Sequence, residues 1–379
     1  MSHRELEEHR RYLADERRAA AYRAALAEVV EPADVVLDLG AGTGLLGYLA
    51  CEAGAKAVVA VDQGEVVGLA RSIAADNGYA DRISHVRALS VELELPAPVD
   101  VVVCDQIGGL VHDAGILACF ADARDRLLAP GGRLVPAAFR VFLAPVTFDR
   151  GREAVEFWSS CPSSTDVAAA RRLAANTEWK YHVSTDDLVP LALGAELASF
   201  PSHHDGPIGG SLRFPIDTAS RLDGFIGWFE AQMSPSVTLT NDPWSPDRFD
   251  RWCNFYATED AVDVGPGDEV CVQLDIRPRL GVVSWTTEIA SRTGDARRMR
   301  QSTLHGSLMT ASSLDDSAPD RPVSPSRRVE MVRAVVDLID GARTQADIVT
   351  ALSDRVGDGF VSRPHLEKFV RDVLALGRG

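Results

Sequence analysis

Three glycines at alternate positions, Gly40, Gly42 and Gly44, follow the apolar run Val35-Val36-Leu37-Asp38-Leu39 and precede the helical run Leu45-Leu46-Gly47-Tyr48. A strand that ends in glycines and turns into a helix lets backbone N–H groups approach a ligand at the helix N-terminus, where the dipole favours negative charge. Asp62 ends the next apolar run, Ala57–Val61, and a carboxylate there can accept both hydroxyls of a ribose. A tight turn alone would not explain that acid. The pattern predicts a nucleoside-bearing cofactor at the carboxyl ends of two neighbouring strands.

These residues need a particular scaffold, and the surrounding sequence supplies it. From residue 35 to about residue 146, short Val-rich runs (VVLDLG, AVVAVD, ISHVRAL, DVVVCD, GRLVP) alternate with helical segments (LLGYLACEAG, EVVGLARSIAADNG, GILACFADARDRLL). Near-continuous apolar strands separated by helices indicate a parallel sheet covered on both faces. Ahead of it, Glu5 to Val30 reads as one helix with an apolar side at Leu13, Ala20, Ala24 and Leu26, stopped by Pro32. The texture after residue 146 changes to strand-like runs with turn signals between them (SVTLT, WCNFYA, EVCVQLDIRP, VVSWTTEI) and a helical stretch around Val167–Ala175, which predicts an antiparallel barrel or sandwich. Residues 311–326, rich in Ser, Asp and Pro, read as a linker. Three helical patterns follow, Arg327–Asp340, Thr344–Val356 and Ser362–Leu376, with Thr344 and Ser362 as N-caps. The expected fold class is therefore α/β: a Rossmann-like domain over 1–146, an antiparallel β-barrel domain over 147–310, and a small helical domain over 327–379.

A dinucleotide loop would read GxGxxG, whereas Gly40-x-Gly42-x-Gly44 is similar to the first motif of class I S-adenosylmethionine (SAM) methyltransferases. The run from Tyr12 to Val146 resembles the core of the protein arginine methyltransferases: YLADERRAAAYRAAL their first helix, VVLDLGAGTGLL the SAM loop, DVVVCDQIGG the strand bearing the catalytic loop, and ARDRLLAPGGRLVPAAFRVFLAPV the stretch closing the sheet. FPIDTASRLDGFIGWFEAQMSPSVTL and FYATEDAVDVGPGDEV resemble their β-barrel. The resemblance implies SAM as cofactor, with His9, Arg18, Asp38, Gly40, Gly42, Gly44, Asp62 and Ser90 around it. Arg18 would hold the SAM carboxylate, a task suited to a guanidinium fork. Val91 replaces a family Glu on the adenine side, and neighbouring Glu92 would compensate. Residues 163–187 fall where the family has the arm that pairs two subunits, which implies a homodimer. The C-terminal helices resemble the small winged-helix fold of PqqD-type domains, which recognise peptides in ribosomal peptide biosynthesis; the alternative is a helical appendage.

Departures from the family pattern bear on the acceptor. The family holds the substrate guanidinium between two Glu side chains. Here Asp105 matches the first, one methylene shorter and so withdrawn by about 1.5 Å. The second falls on Ala114, beside Asp113 and His112. The family's Thr-His-Trp triplet aligns without gaps on Arg248, Phe249 and Asp250, its N-terminal aromatic lid is missing, and Trp252, Phe255 and Tyr256 read as barrel core. A single carboxylate can orient an amine and take its proton, so the expected catalytic set is Asp105, His112 and Asp113. The first expectation is N-methylation of an amine of a peptide or small-molecule natural product. O-methylation with His112 as base, a protein arginine methyltransferase proper, and a SAM-binding pseudoenzyme serving as a recognition subunit are the alternatives.

Composition narrows the setting. The chain has 379 residues, 46% hydrophobic and 25% charged, with 39 basic against 55 acidic side chains and a net charge of −16. Such a chain has ample apolar material for a core, and its charge repels a phosphate backbone, so a nucleic-acid partner is not expected. The six cysteines form no CxxC pair, which argues for buried free thiols and no metal. No apolar N-terminal stretch or long apolar run occurs, so the expected location is the cytoplasm, without a membrane partner.

Overall fold

The computed structural model describes residues 3–159, 165–292, 296–308, 325, 327–356 and 362–376. The expected single N-terminal helix is two: α1 (His3–Ala14) and α2 (Glu16–Val29). Asp15 between them leaves helical geometry, and its carboxylate accepts the Arg18 N–H at 3.0 Å, which makes it the N-cap of α2. The buried side of α2 is Arg18, Tyr22, Ala25 and Leu26, one helical stripe. Of the four residues expected to be apolar contacts only Leu26 is buried; Leu13, Ala20 and Ala24 are exposed. The run is rich in Ala, and alanine marks a helix without saying which side is inside.

Beyond α2 the alternation unfolds as expected: β1 (Val35–Leu39), α3 (Leu45–Glu52), β2 (Ala57–Asp62), α4 (Val66–Asp76), β3 (Ile83–Arg87), β4 (Val99–Cys104), α5 (Ile116–Arg126) and β5 (Leu128–Val135). The strands form one parallel sheet in the order β3-β2-β1-β4-β5. Central β1 and β4 are buried along most of their length, which is why both read as unbroken Val-rich runs.

The chain then turns antiparallel through β6 (Ala138–Thr147), α6 (Asp149–Glu156), α7 (Ala169–Ala175), β7 (Glu178–Tyr181), β8 (Val189–Pro190), β9 (Ala195–Pro201), β10 (Ile208–Pro215), β11 (Ser220–Gln232), β12 (Thr238–Thr240), β13 (Cys253–Val264), β14 (Glu269–Arg277), β15 (Val282–Ala290) and β16 (Ala296–Ser302). The expected barrel consists of two sheets, one of order β7-β13-β11-β6-β8 with β12 and β9 attached, and one of order β10-β14-β15-β16. A continuous apolar core joins them to the parallel sheet, running from Leu37 and Val102 through Ile107 and Leu110 to Phe139 and Phe229. Each such buried side chain contributes about 1.5–3 kcal/mol. Among the described residues Cys51, Cys104, Cys119, Cys253 and Cys271 are free thiols, and no helix is long and apolar enough to cross a membrane. Cys161 lies outside the described residues.

Residues 309–379 form a second unit. Its described part is helical, α8 (Arg327–Val336), α9 (Gln345–Val356) and α10 (Arg363–Leu376), around a core of its own that includes Val335, Ile348, Leu352, Leu366 and Val370. Thr344 caps α9 as expected: its hydroxyl accepts the Asp347 N–H at 3.2 Å while the Asp347 carboxylate takes the Thr344 N–H at 2.8 Å. Among the described residues this unit holds no strand. The proposed linker, apart from Pro325, lies outside the described residues up to residue 326.

Replacing Asp15 by Ala removes the cap that starts α2 and should cost about 1 kcal/mol. Urea denaturation should show the loss; an unchanged midpoint would mean that the break between α1 and α2 is set elsewhere.

Candidate functional site

The winding of the parallel sheet reverses between β1 and β4, which opens a crevice at the carboxyl ends of these strands. A cleft of about 720 Å3 lies there, bounded by α1, the glycine loop after β1, the ends of β2 and β4, and Lys180, Arg251 and Trp252.

On the glycine side, Gly40, Gly42 and Gly44 have φ of 70, 55 and 92°, a region that favours glycine. The close quarters are as restrictive: a Cβ on Gly40 would come within 2.5 Å of Gln106, and one on Gly42 within 3.1 Å of His9. Asp62 accepts the Gly42 N–H at 3.0 Å and the Gly64 N–H at 2.7 Å, so its carboxylate is oriented and keeps lone pairs toward the cleft. His9, Arg18, Gly40, Gly42, Asp62 and Ser90 all line the cavity. Gly44 starts α3 just behind. Asp38 does not reach the cleft: it is wholly buried, accepts the Gly47 N–H at 2.9 Å, and burial pushes its carboxyl up to about 7. It holds the first turn of α3, a task set by its place one pleat inside the strand end. Glu92 is exposed on a one-turn helix and lines nothing, as is Val91. It therefore does not compensate for the missing acid; Leu89 and Cys119 face the cleft there instead.

The other side is built around Asp105, directly after β4. The Tyr22 hydroxyl, which shares its proton between the Cys104 carbonyl at 2.9 Å and the Asp105 Oδ1 at 3.2 Å, and Arg251, 3.5 Å from the same oxygen, flank one side, and Arg18 pairs with Oδ2. Both arginines are buried and stack on Tyr12, at 4.8 and 5.3 Å. Burial lowers the pKa of Arg18 from its ordinary value. Its Nε is a buried donor without an acceptor, a vacancy that a cofactor carboxylate fits.

Asp113 faces Asp105's side of the cleft from the far end of one loop. Its Oδ1 accepts the Gly109 N–H at 2.9 Å, and its Oδ2 lies 2.6 Å from Lys180 Nζ and 3.3 Å from Trp252 Nε1. Burial opposes its charge, yet His112, Lys180 and the Gly109 N–H hold it below the usual carboxylate range. The loop carries a positive φ of 70° at Val111, a conformation that costs a β-branched residue of order 1–3 kcal/mol. Ile107, Leu110 and Val111 are fully buried and offset that cost.

His112 is placed otherwise than expected. It is buried away from the cleft, with Nδ1 3.1 Å from the Leu110 carbonyl and Nε2 3.2 Å from Glu178. Glu178 also accepts from Asn254 at 2.8 Å and Tyr256 at 2.5 Å. A ring with both nitrogens facing oxygens is an imidazolium and a poor general base. Burial alone would lower its pKa, but Glu178 and Asp113 outweigh it and raise the value above 6.5.

The substitute for the missing triplet also differs from the gap-free alignment. Phe249 is core and Arg248 binds the Val183 carbonyl, whereas Arg251 and Trp252 enter the cleft. Phe255 and Tyr256 are core as expected; Trp252 is not. No spacing rule pointed to Lys180 or Arg251, since each is a lone basic residue whose neighbour in space is far away in sequence.

Comparison with known proteins bears on the fold and the reaction class. The family described as ribosomal protein L11 methyltransferase (PrmA) matches over residues 23–137. The chain is 28% identical to protein arginine N-methyltransferase 6 of Xenopus tropicalis over 284 residues, 71% of this chain and 83% of that one. It is 30% identical to a probable protein arginine N-methyltransferase 6 of Arabidopsis thaliana over 60% of this chain and 54% of that one. In fold it is similar to the Trypanosoma brucei PRMT1 enzyme–prozyme complex with AdoHcy (TM-score 0.66, 21% identity, 77% of this chain and 97% of that one). Arabidopsis thaliana protein arginine methyltransferase 10 is comparable (TM-score 0.65, 19% identity, 79% and 98%). The parallel sheet, its glycine crevice and these matches define a SAM-dependent methyltransferase of class I. Within that class, the chain is protein arginine methyltransferase-like.

Two outcomes follow from this geometry. Gly40→Ala should weaken AdoHcy binding at least about tenfold, because the new methyl meets Gln106 and the φ is strained; calorimetric affinity equal to that of the native protein would remove the loop from the cofactor site. The His112–Glu178 pair contributes fully below the ordinary 6.5 of His112 and is lost as pH rises through its raised value; Glu178, lowered from 4.5, loses its share as pH falls through its own depressed value. The stability advantage of the native protein over His112→Gln should therefore be larger at pH 6 than at pH 9, and an advantage that grows toward pH 9 would contradict the imidazolium assignment.

Proposed function

We propose that this methyltransferase acts on a side-chain nitrogen of a peptide or protein, with the guanidinium of arginine as acceptor. The observation that carries the reading is that Asp105 and Asp113 line one cleft beyond the glycine loop. Asp113 thereby offers a second carboxylate although the matching position, Ala114, has none. This departs from the expectation of a natural-product amine, and the names of the matched relatives, protein arginine N-methyltransferases, point the same way.

In this reading His9, the backbone of Gly40 and Gly42, Asp62 and Ser90 hold the nucleoside part of SAM, and Arg18 takes its carboxylate, which releases Asp105 Oδ2. Bound SAM supplies an electrophilic methyl group. The protein's own share is placement and charge. A guanidinium presents five N–H donors in a plane, so carboxylates at two points of that plane fix which nitrogen faces the methyl carbon. They also stabilise the cation while charge redistributes, and Asp105 accepts the proton that the methylated nitrogen loses. Tyr22 and Arg251 keep the Asp105 carboxylate in one orientation. His112 positions Asp113 and does not touch the acceptor.

We further infer a homodimer paired around residues 163–187, of which 163 and 164 lie outside the described residues, in line with the heterotetrameric assembly named for the Trypanosoma relative. The free thiols of the described cysteines suit a reducing cytoplasm.

Incubation of the protein with SAM and arginyl peptides, read by mass spectrometry for one added methyl group, tests the acceptor. Asp105→Asn should lower turnover at least about a hundredfold while AdoHcy affinity changes less than about threefold. Equal turnover in the variant would discard Asp105 as the catalytic carboxylate. AdoHcy binding without any methylated product across arginyl, lysyl and carboxylate acceptors would favour a cofactor-binding partner subunit instead.

A further inference from the structure

Lys180 stands where an acceptor cation belongs. Its Nζ is 2.6 Å from Asp113 Oδ2 and 5.6 Å from the centroid of the Trp252 ring. A carboxylate beside an aromatic face is the pair of groups that recognises an ammonium or a guanidinium. The other Asp113 oxygen is committed to the Gly109 and Leu110 N–H groups, so Oδ2 is the one that meets whatever enters.

Three cationic side chains border this side of the cleft, and they differ in how easily they can leave. The side chains of Arg18 and Arg251 are 5% and 4% exposed. That of Lys180 is 41% exposed, on β7, which ends its sheet. A buried guanidinium can leave one carboxylate only for another, since otherwise its charge is stranded, whereas a lysine with an open stem can exchange a carboxylate for water. Asp113 does not need the lysine for its position, because two backbone N–H groups and the Trp252 indole already hold it.

We propose that Lys180 is a built-in competitor for the acceptor subsite: its ammonium rests on Asp113 and Trp252 and swings into solvent when the acceptor cation binds. This rests on the cationic acceptor proposed above. The device makes entry a cation exchange, so a guanidinium, which can bond both carboxylates at once, displaces the lysine better than a second ammonium, which repeats the contact already made. Lys180 thereby sets which cations bind and acts as a specificity residue without taking part in the transfer.

The test is calorimetric titration of AdoHcy-saturated protein with the pentapeptide Gly-Gly-Arg-Gly-Gly. An ion pair this exposed is worth at most a factor of about five in an equilibrium constant, so Lys180→Met should bind the peptide about 3- to 5-fold more tightly than the native chain, and Lys180→Ala likewise. Lys180→Arg, which keeps the cation, should bind no more tightly than the native chain. Equal or weaker binding by both Lys180→Met and Lys180→Ala, with AdoHcy binding intact, would overturn the competitor role and make the lysine a fixed part of the site. If neither the native chain nor the variants bind the peptide, the cationic acceptor itself falls, and this inference with it.

Discussion

An acid held between two buried guanidinium groups is the constraint around which one end of the cleft is arranged. Asp105 leaves the end of β4, a strand with no exposed residue to yield, so its carboxylate is fixed by the sheet. Arg18 reaches it from α2 and Arg251 from the segment before β13. Burying three charges is costly, and removal of any one strands the others. The two layers of the first unit are thus tied at a point where neither is free to drift. The asymmetry between the partners matters as well. Both guanidinium groups stack on Tyr12 and each keeps a buried Nε without an acceptor, but only Arg251 also lies over the Phe249 and Trp252 rings.

The second tie runs beneath the loop. Glu178 on β7 gathers His112 from the loop and Asn254 and Tyr256 from β13. Loop position and barrel position are then one variable, and the strained Val111 persists because both sides over-determine it. A polar cluster of this kind stabilises in proportion to the members it satisfies, and in this one the Asn254 Oδ1 is the atom left without a partner. Here the imidazolium supplies two donors to two acceptors, and its charge also keeps neighbouring Asp113 ionised.

Much of this was legible in the residues. The alternation of Val-rich runs and helices fixes a parallel sheet, and Gly40, Gly42 and Asp62 mark the cofactor crevice, because both rest on local chemistry that spacing records. Asp15 hid in a run of helix formers, where one capping residue is easily read as one more charged position. The split between Asp113, which faces the cleft, and His112, which faces the barrel, depends on a single residue of loop conformation. Glu92 lies two positions after Ser90 but is exposed on its short helix. Arg251 and Trp252 were missed because the gap-free alignment puts the triplet on Arg248, Phe249 and Asp250, and only the folded chain shows which side chains of this segment enter the cleft. Pairing Lys180 with Asp113 requires the third dimension, since β7 and the loop are far apart in sequence and are neighbours only through the antiparallel sheet.

Gly109 packs so closely on the Trp252 indole that no Cβ could be accommodated there. This wall of the cleft is accordingly a joint between two pieces of chain with no slack in it. Inheritance has little room to vary this seam, since enlarging either side would wedge the halves apart. Diversification toward other acceptors is left to side chains that end in open water, where a change of length or charge rearranges nothing behind it.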